Sequence, residues 1–289
     1  MRARHERIDV GGESFCYVAR GAPTAPLVLC LHGFPDAPDS FLPLLGDLAA
    51  AGYRAVAPWI RGYAPSTTEP PHGPRALGLD ALRLSAALSP GSRPLLVGHD
   101  WGAIAVYVAA GLAPERVAAA VTMAVPHPIA LAKALFKHPA QLLRSAYALA
   151  FQVPHLPERA IARRADSLTD LFWRAWSPGL VPPAELAKAV SACLEASIPA
   201  PLEHYRALRR QGELRALFRD TSPIRVPTLQ IHGARDRCIA ASLGDAQARY
   251  FEGPFAREIV AGAGHFVHVE APEATSRAAI GWLAAYGQQ

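Results

Sequence analysis

The stretch that most constrains this chain is Pro94-Leu95-Leu96-Val97-Gly98-His99-Asp100-Trp101-Gly102-Ala103. A short apolar run meets a small-x-Asp-x-small pentapeptide, and an Ala-rich helical pattern follows from Ala103 to Ala113. A strand that becomes a helix within so few residues brings the two backbones too close for a Cβ at the flanks, which suits Gly98 and Gly102. Such a turn holds one side chain up at the end of a sheet, and here that side chain is Asp100. A carboxylate is a poor acyl acceptor but a usable nucleophile toward saturated carbon, giving an ester that water then opens. The competing reading is an ordinary surface turn, where Asp and Gly are common. The rest of the chain has to decide.

The flanking pattern favours a layered α/β fold. Strand character is expected at 14–19, 27–31, 54–57, 95–97 and 117–125, with helices over 40–50 and 77–88 and a Pro/Gly/Ser-rich loop at 58–74. Strands alternating with helices at this spacing imply a mostly parallel sheet with helices on both faces. After Pro126-His127-Pro128 only helical patterns and proline breaks follow, with pieces at 130–151, 157–165, 168–176, 184–196 and 202–208. Strand character returns at 226–231 and 256–260. The expected organisation is a sheet core at 1–128, an inserted helical cap at 129–220, and the rest of the core at 221–289.

At 289 residues, 51% hydrophobic and 18% charged, the composition is that of a globular chain rather than a disordered one. The net charge of +5 comes from 29 Lys plus Arg against 24 Asp plus Glu, scattered along the chain. A nucleic-acid surface would need these cations clustered on one face, so none is expected. No apolar run reaches the roughly 18 residues of a membrane span, and Met1 to Val10 lacks the apolar centre of a signal peptide. Cys16, Cys30, Cys193 and Cys238 follow no metal or redox spacing. Structural thiols and a cytoplasmic location are the expectation; a homodimer is left open.

Three acid–base candidates stand just after expected strands, at the carboxyl edge where open α/β sheets place their sites. They are Asp100, Asp236 in His232-Gly233-Ala234-Arg235-Asp236, and His265 in Gly262-Ala263-Gly264-His265-Phe266. Nucleophile, acid, histidine is the order in which α/β-hydrolases supply a triad. An alternative acid position after the 117–125 strand holds no carboxylate, since that stretch ends Thr122-Met123-Ala124-Val125-Pro126-His127. Individually, Asp236 could be a turn former or helix cap, and His268 competes with His265, although its Val267 and Val269 flanks suggest a packed position. Three residues at three strand ends in this order favour catalysis.

With those residues in place, the chain resembles the epoxide hydrolases of the α/β-hydrolase superfamily over essentially its whole length. The resemblance rests on His32-Gly33-Phe34-Pro35, Gly98-His99-Asp100-Trp101-Gly102, Asp236, and Gly264-His265-Phe266-x-His268-x-Glu270. It implies an α/β-hydrolase fold with Asp100 as nucleophile, His265 as the water-activating base and Asp236 as its orienting acid. Backbone N–H groups of Phe34 and Trp101 would form the oxyanion hole. Two lid tyrosines, Tyr147 and Tyr205, would donate to the epoxide oxygen, as phenols that stay protonated at pH 7 can. Packing the lid is their alternative role. His32, Pro35, Phe151, Trp173 and Phe266 are expected around the substrate. The implied partners are a small apolar epoxide and water, with no metal or organic cofactor.

Haloalkane dehalogenases share the Asp nucleophile, the adjacent Trp and the base, and stabilise a departing halide with N–H donors. Trp101 with Trp173 or Trp176 could supply them, but Phe34 stands where an Asn or Glu would better suit that family. Fluoroacetate dehalogenases usually carry Arg where this chain has Trp101. A Ser esterase lacks its nucleophile here, and a non-hydrolytic binding protein would be expected to have lost a triad member.

Overall fold

A computed structural model describes residues 4–135 and 138–287; Phe136 and Lys137, within the expected cap, lie outside the described residues. One eight-stranded sheet runs in the order β1-β2-β4-β3-β5-β6-β7-β8. It opens with a hairpin of β1 (Arg4–Val10) and β2 (Glu13–Arg20), turned through Gly11 and Gly12 at φ 64° and 85°. Two consecutive left-handed residues are the geometry that lets a two-residue turn follow the strand twist. The hairpin joins β4 (Arg54–Pro58) antiparallel, and from β4 onward every pairing is parallel, through β3 (Leu27–Leu31), β5 (Leu95–His99), β6 (Ala119–Met123), β7 (Thr228–Gly233) and β8 (Phe255–Val260).

Every residue of β3, β5, β6 and β7 is buried. A strand buried on both faces needs helices on both faces. Helix α1 (Leu42–Ala50) packs with α12 (Pro272–Tyr286), and α2 (Pro74–Leu88) with α3 (Trp101–Leu112). The short α11 (Val267–Glu270) leads into α12.

Among the described residues, seven helices lie between β6 and β7: α4 (Pro128–Leu135), α5 (Pro139–Arg144), α6 (Ala146–Ala150), α7 (Leu156–Trp176), α8 (Ala184–Ser197), α9 (Ala200–Ala207) and α10 (Glu213–Asp220). The continuous pattern read over 130–151 is thus three short helices, because Pro139 can only begin a helix and Ser145 leaves helical geometry at ψ 5°. The two pieces read at 157–165 and 168–176 correspond to α7, which is two helical stretches joined across a kink at Arg164 (φ −148°, ψ 37°). Among the described residues no helix is long and apolar enough to cross a membrane.

The 59–73 loop is locked by Arg61, fully buried, whose guanidinium grips Asp80 of α2 at 2.6 and 3.0 Å and Glu13 of β2 at 3.2 Å. The loop in turn holds the helical block. His204 of α9 donates from Nε2 to the Arg61 carbonyl (2.9 Å) and accepts the Gly73 N–H at Nδ1 (3.1 Å).

Candidate active site

Asp100 sits between β5 and α3 at φ 53°, ψ −116°, a region non-glycine residues seldom occupy. The close packing around it forbids side chains at its flanks. A Cβ on Gly98 would lie 2.2 Å from the Gly102 carbonyl oxygen, and one on Gly102 would lie 1.9 Å from that of Leu31. The elbow therefore presents the carboxylate at the carboxyl edge of the sheet, between two loops. The loop after β3 donates the Phe34 N–H to Asp100 Oδ1 at 2.9 Å, and its Phe34–Pro35 peptide bond is cis. Trp101 opens α3, so its N–H has no acceptor within that helix.

On the other side, His265 Nε2 stands 3.6 Å from Asp100 Oδ2 and has no hydrogen-bond partner of its own. Its Nδ1 donates to Asp236 Oδ2 at 2.9 Å. Asp236 is itself fixed by the N–H groups of Cys238 and Ile239 on Oδ1 (2.7 and 2.8 Å) and by His232 Nε2 at 3.1 Å from Oδ2. Although burial opposes it, the facing His265, the ring of His232 and their hydrogen bonds hold the Asp236 carboxyl far below the usual range. Burial would strip His265 of its charge, but Asp236 and then Asp100 reverse this and push its pKa up to about 10.

The helical block closes the site with rings. Tyr205 is buried, its hydroxyl lacks a partner, and its ring stands edge-on to Trp101 (5.0 Å), Phe151 (5.2 Å) and Phe34 (5.6 Å). Tyr147 lies 5.8 Å from Tyr205, with its hydroxyl 3.5 Å from Cys238 Sγ. Burial first, and then nearby charges that include Asp100, push both phenols well above their ordinary pKa. Both therefore keep their protons at neutral pH.

Of the residues expected around the substrate, Phe151 stands among these rings. The others support the loops. His32 accepts the Ile60 N–H at Nε2 (3.2 Å) and meets the Gly33 carbonyl at Nδ1 (3.1 Å). Trp173 donates its Nε1–H to the Pro35 carbonyl (2.8 Å) and stacks on Phe266 at 4.4 Å. Sequence reasoning singled out neither Phe172 nor Trp176 as neighbours of the tyrosines. Trp176 lies 4.8 Å from the Tyr147 ring and 5.4 Å from His265, and Phe172 packs on Phe34, Tyr147 and Phe151. Gln141 of α5 was also missed; it clamps the acid loop through the Cys238 carbonyl (2.6 Å) and the Ala240 N–H (3.1 Å). Ser177 and Glu270 brace the His265 loop, with Glu270 taking the Gly264 N–H at 2.9 Å. Phe151 and Phe172 also line an apolar groove of about 140 Å³ with Ala150, Leu156, Pro157, Ala160, Ile161 and Leu168. Among the described residues one buried group has the spacing of metal ligands: Asp36, His99 and His268.

An elbow carboxylate, a histidine paired to an acid one strand over, and a parallel sheet interrupted by helices define an α/β-hydrolase. The family model for the alpha/beta hydrolase fold matches residues 26–272, so the chain belongs to that superfamily. It is 31% identical to Epoxide hydrolase A of Mycobacterium tuberculosis over 98% of both chains. It is also 30% identical to Epoxide hydrolase 3 of Xenopus tropicalis over 94% of this chain and 75% of that protein. Within the superfamily the chain belongs to the epoxide hydrolases. The crystal structure of Epoxide Hydrolase A from Mycobacterium thermoresistibile superposes with a TM-score of 0.84 at 25% identity, covering 99% of each chain.

Proposed function

We propose that this site hydrolyses an epoxide to a vicinal diol through an ester on Asp100. The observation that carries the reading is the surroundings of one carboxylate: Phe34 N–H on Oδ1, His265 Nε2 facing Oδ2, and two un-ionised phenols close by. In the first step Asp100 attacks a ring carbon, the C–O bond breaks, and Tyr147 and Tyr205 donate to the departing oxygen. Alkylation neutralises Asp100 and so removes one of the two carboxylates that hold the proton on His265. The alkoxide needs a proton at the same moment. Handing it over by way of the tyrosines leaves His265 as a neutral base. In the second step that base, oriented by Asp236, takes a proton from water, and the resulting hydroxide adds to the ester carbonyl. The oxyanion that develops is stabilised by the N–H groups of Phe34 and Trp101. On collapse the bond from the former ester carbon to the diol oxygen breaks, that oxygen takes the proton held by His265 and the diol leaves, and the proton remaining on Asp100 then returns to His265.

Residues 129–220 would act as the cap that carries the tyrosines over a core of 1–128 and 221–289. The apolar groove beside Phe151 and Phe172 supports an epoxide with an apolar substituent. Dehalogenation is the less favoured reading: the Trp173 N–H is already given to Pro35, leaving Trp176 as the remaining lid tryptophan to hold a halide, and two un-ionised phenols suit a departing alkoxide instead. A single turnover in oxygen-labelled water tests the mechanism. The label is expected in the Asp100 carboxylate; label in the first diol released would overturn the ester. Diol formation that survives Asp100→Ala would overturn the assignment of the nucleophile.

A further inference from the structure

Beside the reacting groups lie three buried side chains that this mechanism leaves unused: Asp36, His99 and His268. Asp36 Oδ1 accepts the Ala37 N–H at 2.8 Å. Its Oδ2 has no hydrogen-bond partner, although His99 Nδ1 and His268 Nε2 each stand 3.6 Å away. His99 Nδ1 is also without a partner, while its Nε2 lies 3.0 Å from the backbone carbonyl of His265.

These contacts fix where the hydrogens are. A carbonyl can only accept, so His99 Nε2 carries a hydrogen. Its Nδ1 faces Asp36 Oδ2 at 3.6 Å, beyond hydrogen-bond reach. His268 is settled differently. The Ser40 hydroxyl donates to the Ala37 carbonyl (3.0 Å), so its oxygen is the acceptor for His268 Nε2–H at 3.1 Å. Burial, and then His99, lower the His268 pKa to about 4, which leaves that ring neutral. A metal ion in the triangle would require His268 to abandon Ser40.

We propose that His99, standing beside Asp36, is a positioning residue for the base: its Nε2–H fixes the His265 backbone carbonyl and thereby the approach of His265 to an ester on Asp100. The two rings lie 5.0 Å apart, and His99 immediately precedes the nucleophile. One imidazole thus ties the strand that carries the nucleophile to the loop that carries the base. The inference rests on the roles of Asp100 and His265 given above, and it assigns the effect to the second step, in which His265 must place a water.

Single-turnover measurements of ester formation and ester hydrolysis test it, on the wild type, His99→Leu and His99→Gln. In His99→Leu, ester formation is expected within about threefold of wild type while hydrolysis slows about a hundredfold, the scale of a small misplacement of a reacting group. The ester then accumulates and is seen as a mass increase equal to the epoxide. Gln keeps an N–H donor near the Nε2 position, so His99→Gln should recover most of the hydrolysis rate. Nitrogen NMR of the wild type should show a hydrogen on His99 Nε2. That hydrogen stands as a test even where His99→Leu fails to fold. Equal slowing of both steps in the Leu and Gln variants, a His99 Nε2 without a hydrogen, or a stoichiometric divalent ion by elemental analysis would each overturn the proposal. An ester that His99→Leu hydrolyses at the wild-type rate overturns it alone, whereas no ester in the wild type overturns the reading of the site together with it.

Discussion

Asp100 holds a backbone conformation of the kind that costs about 1–3 kcal/mol, and its neighbours have no room to relieve it. At this scale the proposed chemistry separates into two steps that different residues serve. Tyr147→Phe and Tyr205→Phe should slow ester formation, each by about 10²–10⁴-fold, the usual range for a lost general acid. Ester hydrolysis should change far less, and rapid-mix mass spectrometry would resolve the two. His265 makes a separate claim on stability. Its folded pKa is raised to about 10, so the folded protein binds this proton more tightly than the unfolded chain does. The stabilisation is complete below the unfolded value near 6.5 and is lost as pH climbs through about 10. The melting temperature should therefore fall across that window. The fall should be shallower in Asp100→Asn, which lacks one of the two carboxylates; equal slopes would show that Asp100 does not act on His265.

At the scale of elements, the parts legible in the sequence were those whose signal is local. The buried strands β3, β5, β6 and β7 read as short apolar runs because both of their faces are covered. β1 was not anticipated, since its charged, edge-strand sequence offers Ile8 and Val10 as its hydrophobic side chains against the core. α10 was also missed; it is short, and it packs on α2 and α3, which are distant in sequence. The tyrosines were located by resemblance, but their surroundings were not, because Phe172 and Trp176 reach the site only through the path of α7. That helix also lines the apolar groove. Ala160 is exposed on its rim, so Ala160→Trp should cost little stability while narrowing the groove. Epoxides with long alkyl substituents should lose about tenfold or more in kcat/KM through the rise in KM, and a small epoxide should lose almost nothing. Equal effects on both would remove the groove from the substrate path.

For the whole molecule, the helical block must stay registered on the sheet core, and His204 is one fastening between them. Burial first, and then Arg61 and His72 nearby, depress its pKa to about 3 despite the hydrogen bond to the Arg61 carbonyl, so the ring serves two backbone groups while neutral. His204→Leu would bury the Arg61 carbonyl and the Gly73 N–H unpaired, at about 1–3 kcal/mol each. A lower denaturation midpoint by urea titration is expected, with kcat reduced because Tyr205 is the next residue. The sequence by itself singled out Asp100, Asp236 and His265 as the candidates for nucleophile, acid and base, since a polar residue just after a strand is a local signal repeated here at three places in a fixed order. It also determined the alternation that produces a parallel sheet. Only the tertiary structure decided which atoms meet: that Trp173 is committed to Pro35, that His32 serves the backbone, and that His99 has Asp36 on one side and the His265 carbonyl on the other. Such pairings join residues up to 166 positions apart. They depend on how strands order in the sheet and how helices lie on it, and no local period in the chain encodes that.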